Sequence, residues 1–145
     1  MAQSDKIASG HLPGKTLGLH AHSSGELIRQ VGHGFSFASM QALESRSGIS
    51  LSEIASLIGL PPRTFARRKA SGRLSSDESE KLLRLSTVFE HAVELFEGDR
   101  AGALRWLTTP KKALDNETPL TYSRTEVGAR EVENLIGRLE HGVFA

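Results

Sequence analysis

The sequence predicts an all-α fold made of short helices and tight turns. Apolar residues recur at steps of three and four along most of residues 26–139, which is the period of a helix with one buried side. No stretch alternates apolar and polar residues as a half-buried strand does. Capping residues such as serine precede several of the periodic stretches, and glycine follows them.

The composition restricts the protein to one or two small compact units. The chain has 145 residues, 38% of them hydrophobic, and no cysteine, so disulfides and thiolate metal sites are excluded. It lacks a run of about 18 apolar residues, and its first residues do not have the layout of a secretory signal. We therefore expect a protein that folds in water, has no membrane partner and acts in the cytoplasm.

Residues 1–25 are predicted to form a flexible arm. They contain scattered glycines and Pro13 and show no sustained apolar period. His20 and His22 lie in this arm without a carboxylate or further ligand at a useful spacing. The sequence therefore predicts no metal site and no cofactor.

Three helices are predicted between the arm and residue 60. The first starts near residue 26, the second covers about residues 36–47, and the third covers residues 51–58. The predicted buried side of the first helix consists of Leu27, Ile28 and Val31. The predicted buried side of the third helix consists of Leu51, Ile54, Ala55 and Ile58. Ser50 and Glu53 form a capping-box pattern before the third helix.

Residues 61–97 are predicted to form two more helices. The first begins with Pro61 and Pro62, because a helix start tolerates their missing N–H groups, and it stops near Gly72. The second is long and covers about residues 76–97, after a capping box formed by Ser75 and Glu78.

The C-terminal part is predicted to contain a short helix, a loop and a last helix. Asp99 caps the short helix, which ends before Pro110. Residues 111–124 are predicted to be a loop in which Pro119 acts as a helix breaker. The last helix covers about residues 126–139.

The charges are unevenly distributed although the formal net charge is only +1. Residues 61–73 contain five basic residues and no acidic one, whereas residues 74–145 contain nine basic and thirteen acidic residues. We call the first five the basic patch: Arg63, Arg67, Arg68, Lys69 and Arg73. Such a concentrated patch indicates either nucleic-acid binding or an ordinary solvated helix surface.

The spacing around Gly59 predicts a helix-turn-helix. This motif needs a small residue in its first helix, a glycine in the turn, and an apolar residue in the second helix that joins the two. Ala55, Gly59 and Phe65 occupy these three positions. Two helices around a glycine are also a common packing corner, and the basic patch on the second helix is what favours DNA binding.

One arc of that second helix collects polar side chains opposite Phe65. Arginine pairs with guanine or with phosphate oxygens, and threonine contacts a thymine methyl group. The predicted DNA contacts are Arg63, Thr64, Arg67 and Arg68 on the arc, with Lys69 and Arg73 further along for phosphates. Because a single helix-turn-helix covers few base pairs, we expect a homodimer on two half-sites of double-stranded operator DNA.

Several segments of the second half form a specific pattern. They are Glu97-Gly98-Asp99, Trp106-Leu107-Thr108-Thr109-Pro110, Ala113-Leu114, Thr118-Pro119-Leu120, Thr125-Glu126-x-Gly128 and Gly137-Arg138-Leu139-Glu140-His141-Gly142. Together with the helix-turn-helix, these segments resemble the Xre/ParS/MbcA family of antitoxins, which are partners of RES-domain toxins. The likeness covers about residues 30–145, and the arm before Gly25 lies outside it.

The resemblance implies a bacterial type II antitoxin without enzymatic activity. Such a protein binds and blocks a cognate toxin that destroys NAD, and it represses its own operon through the helix-turn-helix. After the flexible arm over residues 1–25, which the composition predicts, the expected organisation is a DNA-binding domain over residues 26–74 and a helical toxin-binding and dimerisation domain over residues 75–145.

The end of the last helix is the predicted toxin-binding surface. A chain terminus that carries apolar side chains beside charged ones can dock into a groove of a partner. The predicted toxin contacts are Leu135, Arg138, Leu139, Glu140, His141, Val143 and Phe144. Val143 and Phe144 have an alternative, which is to fold back onto their own domain or to pair at a homodimer seam.

Two other functions compete with the antitoxin hypothesis. The first is a stand-alone dimeric transcription regulator whose C-terminal half serves dimerisation or effector binding. The second is a small enzyme acting on nucleotides, but no nucleophile, base and orienting group can be recognised together. Glu90 and Glu94 have the spacing of one helix face, which fits a solvated surface better than a carboxylate pair. We therefore predict no catalytic residues.

Overall fold

A computed structural model describes residues 12–142, and over this range the fold is all-α, as the sequence predicts. The helices are α1 (Ser24–His33), α2 (Ala38–Ser47), α3 (Leu51–Leu57), α4 (Pro62–Ser71), α5 (Ser76–Leu95), α6 (Arg100–Leu107), α7 (Pro119–Tyr122) and α8 (Glu126–Glu140). Two 3-10 turns cover Lys15–Leu17 and Lys112–Leu114. Between residues 12 and 142, β-type pairing is limited to isolated bridges.

The long helix α5 lies at the centre of the molecule. It packs against two helices that precede it in the chain, α1 and α2, and against two that follow it, α6 and α8. Its side chains Leu82, Val88 and Phe89 are almost completely buried. One continuous hydrophobic core therefore joins the helix-turn-helix part to the C-terminal part.

Three of the described helices start at the predicted capping residues. At α5, the Ser75 hydroxyl accepts from the Glu78 N–H, and the Glu78 carboxylate accepts from the Ser75 N–H, which completes the capping box. Asp99 caps α6 by accepting from the Gly102 N–H. At α3, the Ser50 hydroxyl accepts from the Glu53 N–H, which is one half of the predicted box.

The predicted flexible arm differs from the structure in its second half. Leu17 is only 3% exposed and belongs to the core, and Thr16 donates two hydrogen bonds to the Glu90 carboxylate, at 2.9 Å and 2.6 Å. Arg46 donates to the Lys15 carbonyl. One 3-10 turn is too short to show an apolar period, so its burial depends on partners distant in the chain. Residues 1–11 lie outside the described residues.

The prediction that Ile28 belongs to the buried side of the first helix is wrong. Leu27 is buried and Val31 packs against the core, but Ile28 is 69% exposed. A helix turns by about 100° per residue, so Leu27 and Val31 share one stripe while Ile28 is turned away from it. The remaining elements cover only this narrow stripe of α1.

The segment predicted as a loop over residues 111–124 contains two short helical elements. Leu114 is buried at the end of the 3-10 turn, and Leu120 is buried in α7. Pro119 begins α7 instead of breaking a helix, because its missing N–H is not needed at the first position, and the Thr118 hydroxyl accepts from the Thr121 N–H. Both elements are too short for periodicity to predict.

Candidate nucleic-acid and partner interfaces

The helix-turn-helix forms at the predicted residues. Residues 58–61 join α3 to α4, and Gly59 has a φ of 76°, a conformation that residues with a Cβ rarely adopt. The Leu60 N–H donates to the Ala55 carbonyl at 2.8 Å and closes the end of α3. Ala55 and Leu60 are both buried, so the turn is held against the core.

The second helix of the motif, α4, projects from the body of the protein. None of its ten residues is buried. Phe65 is half-buried and packs on Phe37, with ring centroids 5.6 Å apart, as the motif requires. Its exposed basic side chains are Arg63, Arg67 and Lys69, and Thr64 beside them is half-buried. We call these four residues the α4 surface.

Arg68 is not displayed in the way that the sequence predicts. Its Nε donates to Glu78 Oε1 at 2.8 Å, and its Nη2 donates to Glu78 Oε2 at 3.0 Å. The two side chains are only 25% and 13% exposed. This bidentate ion pair within the chain uses Nε and Nη2 of the guanidinium, so the structure shows Arg68 paired with Glu78, and its contact with DNA stays a prediction.

Arg73 is also engaged inside the chain, although it is exposed. Its Nη1 donates to the Gly34 carbonyl at 2.7 Å, and its backbone forms an isolated bridge with Ser36. Arg73 therefore connects the segment after α4 to the segment between α1 and α2. Sequence reasoning missed both roles because Glu78 was interpreted only as a cap, and a carbonyl partner leaves no signal in the sequence.

The Arg68–Glu78 pair is charged at neutral pH. Burial acts to raise the pKa of Glu78, but the hydrogen bonds from Arg68 and from the Ser75 backbone outweigh it and hold the pKa below its ordinary value. The hydrogen bond to Glu78 raises the pKa of Arg68 further. The ion pair therefore persists throughout the neutral range.

The predicted toxin-contact residues of α8 fall into three groups. Leu135 is only 9% exposed and lies in the core, so in this structure it offers little surface to a partner. Arg138 and Leu139 are half-buried, and Glu140 and His141 are exposed at the end of the helix. Val143 and Phe144 lie outside the described residues. Four of the predicted side chains thus remain together at the end of α8: Arg138, Leu139, Glu140 and His141.

An ion pair that the sequence analysis missed connects α5 to α8. His91 Nδ1 lies 2.5 Å from Glu133 Oε1. The hydrogen bond to Glu133 raises the pKa of His91, and the nearby charges of Glu94 and Glu90 act in the same direction. Because the two partners are 42 residues apart, no local pattern reveals the pair.

This pair predicts a small dependence of stability on pH. A histidine whose pKa is raised by folding stabilises the folded state fully below its unfolded pKa of about 6.5 and loses that contribution as the pH rises through the folded pKa. We expect the free energy of unfolding to decrease between about pH 6 and pH 8.5, by less than about 1 kcal/mol because the pair is partly exposed. Urea titrations of the wild type and of His91→Gln at both pH values measure this difference. An equal decrease in the two proteins would contradict the assignment to His91.

A groove between α5 and α8 is a second candidate for a partner surface. Its volume is about 390 Å³, and Leu83, Val88 and Ala129 form its apolar part. The charged side chains around it are Glu80, Arg84, Glu126, Arg130 and Glu133. Val127, at the start of α8, is 72% exposed. The groove combines both charge signs with an apolar floor, which suits a protein partner better than nucleic acid.

Two classes of site receive no support from the part of the chain that the structure describes. Residues 12–142 contain no group of three histidine or acidic side chains that could hold a metal ion. None of the described helices has the length and hydropathy needed to cross a membrane.

Two family models match the chain. The model described as the antitoxin Xre-like helix-turn-helix domain matches residues 26–86. The model described as the antitoxin Xre/MbcA/ParS C-terminal toxin-binding domain matches residues 91–142. The first range contains α1 to α4 and the beginning of α5, and the second contains the end of α5 through α8.

Three proteins named antitoxin Xre are similar to this chain over most of its length. Antitoxin Xre of Yersinia enterocolitica is 39% identical over 132 residues, which cover 90% of this chain and 89% of that protein. Antitoxin Xre of Photorhabdus laumondii is 33% identical over 98% of this chain and 96% of that protein. Antitoxin Xre of Pseudomonas putida is 28% identical over 81% of this chain and 72% of that protein.

Proposed function

Since the chain belongs to the Xre antitoxin family, we propose that it neutralises a NAD-degrading RES-domain toxin and represses its own operon. The matches to a helix-turn-helix domain and to a toxin-binding domain support the general conclusion that the protein is a type II antitoxin. The similarity to antitoxins also supports a regulator that has no enzymatic activity. Because its DNA target is its own operon, we place it in the cytoplasm.

The projecting α4 is the observation that carries the DNA-binding part of the proposal. A ten-residue helix with no buried residue and with exposed Arg63 and Arg67 has the shape and charge to enter a major groove. Lys69 lies further along α4, where phosphate contacts are expected. A homodimer would present two such helices to two half-sites.

The end of α8 supports the toxin-binding part. This helix carries four acidic and two basic residues, and it belongs to the range that matches the toxin-binding domain. A toxin that binds an anionic dinucleotide needs a basic pocket, which an acidic helix complements. We propose that Arg138, Leu139, Glu140 and His141 contact the toxin, with Val143 and Phe144 following them in the chain. The groove between α5 and α8 lies along the first half of the same helix, between Glu126 and Glu133.

Co-expression with the RES-domain protein encoded by the neighbouring gene tests the proposal. We expect expression of that neighbour alone to stop growth and lower cellular NAD, and we expect this chain to restore both and to co-purify with the toxin. Toxicity that this chain does not relieve would leave the alternative of a stand-alone dimeric transcription regulator.

Removal of residues 140–145 is expected to abolish growth rescue and to leave operator binding intact. The change deletes Glu140 and His141 from the proposed toxin surface but lies far along the chain from α4. Growth during co-expression and gel-shift assays with the operon's upstream DNA measure the two activities separately. The thermal unfolding midpoint serves as the control for folding. Full rescue by the shortened chain would contradict the assignment of this surface.

A further inference from the structure

Few side chains fix the orientation of α4. All of its residues are exposed or half-buried, and Phe65 contributes one aromatic contact, to Phe37. The other side-chain contact of α4 is the bidentate pair between Arg68 and Glu78. The junction after the helix is held by the backbone, since the Phe37 N–H donates to the Gly72 carbonyl at 2.9 Å. The Arg68–Glu78 pair is thus the side-chain contact that joins α4 to the first turn of α5, and we expect its loss to change the orientation of α4.

Glu78 is well suited to hold Arg68 because its own position is determined by α5. Its Oε1 accepts from the Ser75 N–H at 2.8 Å while also accepting from Arg68. The first turn of α5 is in turn fixed to the segment before α2, since the Phe35 N–H donates to the Ser79 hydroxyl at 2.7 Å. A single carboxylate therefore connects α4 to a rigid part of the core.

We propose that Glu78 is a positioning residue for DNA recognition, which acts by holding Arg68 so that α4 presents Arg63 and Arg67 at the correct angle. The inference rests on the DNA-binding part of the proposed function. In this arrangement Arg68 contacts Glu78 and contributes no phosphate contact of its own.

The inference predicts the opposite of what simple electrostatics predicts. Glu78 is an acidic residue beside the basic patch, so its neutralisation adds one positive charge and by itself strengthens binding to any DNA. Loss of positioning instead weakens binding to the specific sequence only. If the correctly oriented fraction of α4 falls to about one tenth, specific affinity falls roughly tenfold.

Two variants separate positioning from capping. Glu78→Gln keeps a side chain that can complete the capping box but removes the charged pair with Arg68. Arg68→Gln breaks the same pair from the other side. Ser75→Ala is the matched control, since it removes the capping hydroxyl and leaves both hydrogen bonds between Arg68 and Glu78 in place.

The affinity of the full-length protein is measured for two duplexes over a series of KCl concentrations. One duplex is the DNA immediately upstream of its own coding sequence, and the other is a scrambled duplex of equal length and composition. We expect both glutamine variants to bind the upstream duplex about tenfold more weakly than the wild type. Glu78→Gln should bind the scrambled duplex no more weakly than the wild type, whereas Arg68→Gln leaves the Glu78 carboxylate unpaired and should lose much less affinity for the scrambled duplex than for the upstream one. Ser75→Ala should keep the wild-type ratio of the two affinities.

The salt dependence distinguishes positioning from direct contact. Lys69→Gln should lower the slope of log affinity against log salt by about 0.9, because Lys69 is the proposed phosphate contact of α4, whereas Arg68→Gln should leave the slope unchanged. Hydrogen exchange of the amides of α4 should be faster in both pair variants, and the double variant should be no weaker than either single one.

Three results would overturn the inference. An Arg68→Gln slope that falls as much as the Lys69→Gln slope would make Arg68 a DNA contact, and the proposed DNA-binding function would then stand without the positioning role. Tighter binding of both duplexes by Glu78→Gln would show that Glu78 affects DNA binding only through its negative charge. A wild-type protein that does not distinguish the two duplexes would overturn the operator-binding proposal together with the inference.

Discussion

Replacement of both Arg63 and Arg67 by glutamine is expected to abolish repression of the operon while toxin neutralisation remains. Both side chains are exposed on α4, where arginine can form bidentate contacts with guanine. Each such contact contributes about 1–3 kcal/mol, so the pair should weaken operator binding by about 2–6 kcal/mol, or at least roughly thirtyfold. A promoter–reporter assay and the affinity for upstream DNA measure the loss.

A matched control separates local contacts from net charge. Arg105 and Lys112 are exposed basic residues outside the basic patch, and their replacement by glutamine removes the same amount of charge. This control variant should bind operator DNA almost as well as the wild type. If the Arg63 and Arg67 variant still represses, or if the control loses repression equally, the assignment of the α4 surface is wrong.

Gly128→Ala is expected to destabilise the fold by about 3 kcal/mol or more, because α8 passes very close to the end of α7. A Cβ at position 128 would lie 1.7 Å from the Tyr122 carbonyl oxygen and 2.9 Å from its carbon. The obstacle is backbone, which a side-chain rotation cannot relieve. Elsewhere in a helix, the same substitution is stabilising by up to about 1 kcal/mol.

Gly137 provides the control on the same helix. A Cβ at position 137 would have no heavy atom within 4 Å, so Gly137→Ala should be neutral or slightly stabilising. Urea denaturation of the two variants gives the comparison. Equal stability of Gly128→Ala and Gly137→Ala would show that α7 and α8 separate without cost and would contradict the close approach.

The elements that the sequence predicts correctly depend on interactions between near neighbours. The helix-turn-helix follows from the spacing of Ala55, Gly59 and Phe65, because the turn closes within a few residues. The complete capping box at Ser75 and Glu78 joins residues three positions apart. The all-α class follows from periodicity over whole helices. Interactions of this range are contained in any short window of the sequence.

The elements that differ from prediction depend on contacts between distant segments. Leu17 is buried because Glu90, 74 positions after Thr16, fixes the adjacent turn. Ile28 is exposed because the neighbouring elements cover only one stripe of α1. The burial of Leu135, a predicted toxin contact, likewise depends on how α8 packs on α5.

The sequence by itself determined that this protein is a helical antitoxin with a helix-turn-helix. Residue spacing, helix capping and the family pattern each depend on residues that are close together in the chain. Only the tertiary structure decided which members of the basic patch are exposed. Arg67 and Arg68 are adjacent and chemically identical, yet one faces solvent and the other is paired with Glu78. The physical reason is that the partner of a side chain depends on how helices pack, which no local pattern contains.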